Sequence, residues 1–143
     1  MKKFYPAKLE SLNAIADDVE KFCVECGASL SDIYAINLCL DEVFTNIVTY
    51  GYESDPTKDV EIELEKISLG GKPAVRVCVR DEAKAFDPIA QAAAPDIDTP
   101  LESRCVGGLG VFFLKKNMDE LFYARKDGRI NELCMIKYIS GKD

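Results

Sequence analysis

Apolar residues near the start of the chain recur three and four positions apart. Between Leu9 and about Cys26 they are Leu12, Ile15, Ala16, Val19 and Phe22, a spacing that lines one side of a 3.6-residue helix. Gly27 follows as the kind of residue that stops one. A second stripe runs through Ile33, Ile36, Leu40, Val43, Phe44 and Ile47, with Ser31 able to cap its start and Gly51 near its end. The short connection predicts two helices packed as neighbours.

Beyond Asp59 the period becomes two. Val60, Ile62 and Leu64 alternate with Glu61, Glu63 and Glu65. After Leu69-Gly70-Gly71-Lys72, Val75, Val77 and Val79 alternate with Arg76, Cys78 and Arg80. This pattern predicts a hairpin with one wet face. From Asp87 to Gly107 there are three prolines and an alanine cluster but neither periodicity, and a long loop inside a compact domain is usually functional. Gly108 to Met118 reads as a short apolar helix, then Leu121 to Arg125 and Ile130 to Ile139 as two strands around Lys126-Asp127-Gly128-Arg129. The order helix, helix, strand, strand, loop, helix, strand, strand predicts an α+β fold, with helices on one face of a largely antiparallel sheet.

With 143 residues the chain is expected to form one domain (1–143) that stands without disulfides. A net charge of -7 disfavours direct nucleic-acid binding, which needs a clustered basic surface. No stretch approaches ~18 apolar residues without charge, and Met1 to Glu10 carries no apolar run of a secretory signal, so the expected location is the cytoplasm and no membrane contact is expected. The six cysteines, Cys23, Cys26, Cys39, Cys78, Cys105 and Cys134, are then expected to be reduced thiols. Cys23 and Cys26 form one C-x-x-C, but structural zinc needs four ligands and no second pair exists. The absence of histidine excludes nucleophile pairs that use one, and leaves carboxylates, lysine, bound metal or backbone for any catalysis.

Three segments could carry chemistry: Leu38 to Val48, Arg80 to Pro88 and Gly107 to Leu121. Glu42 and Asn46 stand four apart, on one helix face. Such a pair either belongs to a solvated face or can activate a hydroxyl and hold Mg2+ against phosphate oxygens. Asp81 falls where the alternating strand stops, which suits a turn former or an acceptor for an exocyclic amine such as that of adenine. Gly107-Gly108-Leu109-Gly110 precedes an apolar run. It is either a flexible loop or a backbone that approaches a phosphate at a helix N-terminus.

Taken together, and in this order, these segments resemble the N, G1 and G2 boxes of the GHKL, or Bergerat-fold, ATPases. The residues are Glu42-x-x-x-Asn46, Asp81 followed by Phe86-Asp87-Pro88, and Gly107-Gly108-Leu109-Gly110 with Met118-Asp119-Glu120. Within that superfamily a lid that is short by its standards, the Phe86-Asp87-Pro88 triplet and the ending from Gly107-Gly108-Leu109-Gly110 to Met118-Asp119-Glu120 are most similar to bacterial anti-sigma-factor serine/threonine kinases. The resemblance implies a two-layer α/β sandwich on a mostly antiparallel mixed sheet, with ATP between the helices and a lid at about 83–106. It further implies that Glu42 is the catalytic base and that Asn46 coordinates Mg2+. Asp81 would accept from the adenine amine, and Gly108 and Gly110 would let backbone reach the phosphates. Arg104 or Lys115 would neutralise charge, with Ala83, Phe86, Gly107 and Leu109 completing the nucleotide contacts. The partners implied are an anti-anti-sigma protein of the STAS type, a sigma factor and a second copy of the chain, as a homodimer. A non-catalytic ATP-sensing or protein-binding module of the same fold is the other reading. One departure is Ala83, where the family has glycine, whose methyl group is expected to crowd the adenine pocket.

Overall fold

The computed structural model describes residues 1–85 and 114–139. In chain order these form β1 (Lys2–Pro6), α1 (Ser11–Cys26), α2 (Leu30–Asn46), β2 (Asp59–Leu69), β3 (Lys72–Asp81), β4 (Glu120–Lys126) and β5 (Ile130–Tyr138). Helix α2 continues into a π-helical turn, Ile47–Gly51, and the described residues 114–117 are helical and precede β4. The strands make a five-stranded sheet in the order β1-β2-β3-β5-β4. Every pairing among the described residues is antiparallel.

The helices lie on one face of this sheet. Ile15, Val19 and Cys23 of α1 and Ile36, Leu40 and Phe44 of α2 share a buried cluster with Val60, Ile62 and Leu64 of β2. Val75, Val77 and Val79 of β3 and Leu133 and Met135 of β5 complete it. These are the stripe and alternation positions of the sequence, so apolar burial at ordinary hydrophobic strength drives the layering. Both hairpins turn through two residues of positive φ, Gly70-Gly71 and Asp127-Gly128, as tight twisted hairpins require. On the opposite face, Arg80 forms ion pairs with Glu61 and Glu63 of β2 and Glu132 of β5, and Lys126 of β4 also reaches Glu132. The wet face of the predicted hairpin is thus tied across four strands.

Four details differ from the sequence reading. Strand β1 was not expected, because five residues with two lysines and a proline show no alternation. It is recruited by β2, with Tyr5 opposite Val60, and the Tyr5 hydroxyl donates to Asp18 of α1 at 2.7 Å. Helix α1 starts at Ser11 rather than Leu9, whose side chain is exposed. The cap of α2 is Ser29, not Ser31: the Ser29 hydroxyl accepts from the Asp32 N–H while the Asp32 carboxylate accepts from the Ser29 N–H, a reciprocal capping box. The thiols are not all reduced either. Cys78 and Cys134 are bonded as a disulfide, because the β3–β5 register sets them directly opposite each other with their Cα atoms 4.1 Å apart. Residues separated by 56 positions cannot be paired by reading spacing alone. Cys23, Cys26 and Cys39 are free and buried, burial pushing the Cys23 thiol up to about 12; Cys105 lies outside the described residues. Among the described residues no helix is long and apolar enough to cross a membrane.

The capping box is buried, so Ser29→Ala is expected to lower stability by about 1–2 kcal/mol, whereas Ser31→Ala, at an exposed position inside the helix, changes it by less than about 0.5 kcal/mol. Urea unfolding of the two variants reads the difference directly, and equal losses would place the cap elsewhere.

Candidate functional site

Helix α2 presents Glu42 and Asn46 on the same side, one turn apart. The Asn46 Nδ2 donates to Glu42 Oε1 at 3.0 Å, and both side chains are half-buried. This bond orients the amide, leaving its oxygen on the side away from Glu42, and leaves the second carboxylate oxygen of Glu42 clear of it. An amide oxygen is a suitable ligand for a hard cation such as Mg2+. Directly after Asn46 the helix widens into the π turn, closed by Tyr52 N–H donating to Ile47 O at 2.8 Å. Such turns shift the phase of the residues that follow. Here the shift delivers Tyr52 to the end of β3, where its hydroxyl accepts from the Glu82 N–H at 2.7 Å and donates to Asp59 O at 3.0 Å.

Asp81 is the last residue of β3, and it is only 7% exposed. Its Oδ1 accepts two hydrogen bonds, from the Ala83 N–H at 2.9 Å and from Asn131 Nδ2 at 2.9 Å. Its Oδ2 accepts none from the described residues. Asn131 is also buried and sits opposite Asp81 in the β3–β5 ladder. The same amide nitrogen reaches the Ala83 and Lys84 carbonyls at 3.2 and 3.0 Å, and the amide oxygen accepts from the Tyr123 hydroxyl of β4. Arg125, on β4, donates to the Ala83 carbonyl at 2.8 Å. Burial pushes the Asp81 carboxyl up from its ordinary value, while the Asn131 amide, the Ala83 N–H and the charge of Arg125 pull it back. The result is a buried carboxyl with one oxygen fixed and the other able to accept.

Of the residues singled out in the sequence, Glu42, Asn46, Asp81 and Ala83 are described. Phe86, Arg104, Gly107, Gly108, Leu109 and Gly110, with most of the expected lid, lie outside the described residues. Lys115 is exposed among the helical residues 114–117. The Met118-Asp119-Glu120 ending acts as a joint. Met118 is buried in the core, the Asp119 N–H donates to Ile136 O at 2.9 Å, and the Asp119 carboxylate accepts from the Tyr138 N–H at 2.7 Å. The helical residues 114–117 are thereby fixed to the end of β5. Sequence reasoning gave no part to Tyr52, Tyr123 or Arg125 and assigned no role to Asn131. Asn131 falls on a strand the sequence predicts, but its place opposite Asp81 depends on the β3–β5 register, which alternation alone does not fix.

The histidine kinase-like ATPase domain model matches residues 5–137 of the chain. Serine-protein kinase RsbW of Halalkalibacterium halodurans is 26% identical over 137 residues, which is 94% of this chain and 80% of that protein. The anti-sigma F factor of Anoxybacillus flavithermus is 25% identical, covering 85% of this chain and 80% of its own length. Serine/threonine-protein kinase BtrW of Bordetella bronchiseptica is 27% identical over a shorter span, 66% of this chain and 63% of its own. Among solved structures, a chain of the SiaB–SiaC complex from Pseudomonas aeruginosa superposes with a TM-score of 0.58 at 12% identity, over 97% of this chain and 89% of that one. That likeness concerns the fold alone.

The Asp81 cluster makes a pH prediction of its own. Asn131→Leu removes the amide that favours the ionised carboxyl, so Asp81 is expected to titrate at higher pH than in the unaltered protein. Stability is expected to fall by about 1–3 kcal/mol as buried partners are stranded. The carbon-13 shift of the carboxyl across a pH series reads the first effect, and an unmoved or lowered midpoint would contradict it.

Proposed function

The chain belongs to the histidine kinase-like ATPase domain family, and from that premise we propose that it is a single-domain serine/threonine kinase of the anti-sigma type. It binds ATP with Mg2+, phosphorylates a serine or threonine of a STAS-type anti-anti-sigma protein, and holds a sigma factor when that partner is absent. It works in the cytoplasm as a homodimer. The kinase and anti-sigma names of its relatives support this reading.

The observation that carries the reading is Asp81, a buried carboxylate with Oδ1 held by Asn131 and Ala83 and Oδ2 able to accept. An adenine amine is the right donor for such an oxygen, and in a buried site an unmatched partner is costly, which favours adenine over a purine without that amine. On α2, Glu42 accepts the proton of the attacking hydroxyl. The hydroxyl oxygen bonds to the γ-phosphorus, the bond from that phosphorus to the β–γ bridging oxygen breaks, and ADP leaves with its electron pair. The hydrogen bond from Asn46 fixes the rotamer of Glu42 as the base. Its amide oxygen is the group that would hold Mg2+, which when bound offsets the charge of the phosphates. By the family resemblance, Gly108 and Gly110 would let the backbone reach the phosphates, Arg104 or Lys115 would offset their charge, and Phe86, Gly107 and Leu109 would complete the nucleotide contacts; of these only Lys115 is among the described residues.

Glu42→Ala is expected to keep Mg-ATP binding, measured by calorimetry, while phosphate transfer from labelled ATP to a STAS-type substrate falls about 100-fold or more. Transfer at the unaltered rate would remove Glu42 from the mechanism. ATP binding with no transfer in the unaltered protein would favour the non-catalytic module. Light scattering is expected to give the mass of a dimer, and a monomer at micromolar concentration would contradict that part of the proposal.

A further inference from the structure

The backbone turn that carries Asp81 is held on several sides. Ala83 donates its N–H to Asp81 Oδ1, and its carbonyl accepts from Arg125 at 2.8 Å and from Asn131 at 3.2 Å. With its N–H and carbonyl engaged, and with the residue only 7% exposed, Ala83 has one direction left, that of its methyl group. This group faces Gly51, the last residue of the π turn that extends α2. A Cβ placed on Gly51 would lie 3.1 Å from the Ala83 Cβ, well inside the roughly 3.5–4.0 Å at which carbon atoms attract. Among the described glycines, Gly51 alone would meet anything within 4 Å. Nor does it have a positive φ, so its glycine character serves space and not backbone freedom.

We propose that Gly51 is a positioning residue for nucleotide binding: its missing side chain gives Ala83 the room that keeps the Asp81 turn in place. This rests on the reading of Asp81 as the adenine acceptor. The two small residues then form a matched pair. The methyl group at 83 faces the helix end at Gly51, and glycine at 51 is what admits it there. Neither partner can yield freely. Tyr52 fixes Gly51 through its N–H bond to Ile47 and through its hydroxyl, which links the Glu82 N–H to the Asp59 carbonyl. A methyl added at 51 therefore displaces the turn at 81–83, or separates it from α2 and so from Glu42 and Asn46.

The test is a cycle of Gly51→Ala, Ala83→Gly and the double variant, with Mg-ATP affinity, KM, kcat and melting temperature measured for each. Gly51→Ala is expected to weaken ATP binding about tenfold and to raise KM, with kcat at saturating ATP little moved. The double variant is expected to recover to within about threefold. Recovery supports the pairing, and a double variant no better than Gly51→Ala overturns it. Should Gly51→Ala fail to fold, the double variant decides: regained folding and affinity support the pairing, and continued failure overturns it. An unaltered protein that binds no ATP overturns the nucleotide reading alone. The pair is then judged on melting temperature, where non-additive changes support it and additive ones overturn it.

Discussion

The end of β3 lies beside the start of the antiparallel β5, so that Asp81 stands directly opposite Asn131, and both side chains are buried. A carboxylate removed from water is costly unless its oxygens are met by donors. Here the Asn131 amide and the Ala83 N–H meet one oxygen, and the Tyr123 hydroxyl fixes the amide from the next strand. The register that makes this possible depends on β5 entering the sheet between β3 and β4. The long excursion from β3 to β4 and the hairpin back to β5 return the chain to the residue where β3 ended. Shifting that register by one residue would turn Asn131 to the other face and leave the carboxylate without its partner.

A second constraint joins the sheet to the helical layer. Apolar packing sets α2 on the sheet, but the polar ends are aligned by a few close contacts. The π turn after Asn46 carries Tyr52 to the Glu82 N–H, and Gly51 lies against Ala83. Glu42 and Asn46, on the last full turns of α2, are thus tied through the short backbone segment to Gly51 and Tyr52 to the strand end that bears Asp81. The chemistry proposed for this family member needs a base, a cation ligand and a purine reader in a fixed relation, and rigid elements hold such relations better than loops do. The Arg80 ion pairs add a brace from the opposite face, one residue before Asp81.

Much of this was legible in the sequence. Helix stripes and strand alternation set the layering, because burial acts on the same periodicities that a reader can count. Glu42 and Asn46 four apart had to share a face, and Asp81 at the end of an alternating run had to sit at a strand end. What could not be read depended on partners distant in the chain. The Cys78–Cys134 disulfide and the Asp81–Asn131 bond both follow from one cross-strand register that local spacing does not reveal. Strand β1 exists because β2 offers it an edge, and its own five residues carry no signal. The choice of Ser29 over Ser31 turned on Asp32 answering three residues later, a box visible in the sequence once the pair is sought.

The central claim is that Asp81 reads an adenine amine while Asn46 holds the metal that serves the phosphates. A crystal structure of the protein with Mg2+ and a non-hydrolysable ATP analogue tests it most directly. The account predicts the exocyclic amine within hydrogen-bond distance of Asp81 Oδ2, with Asn131 still on Oδ1 and the ion on the Asn46 amide oxygen. A nucleotide seated elsewhere, or a base whose amine faces solvent while Asp81 stays buried behind it, would contradict the account.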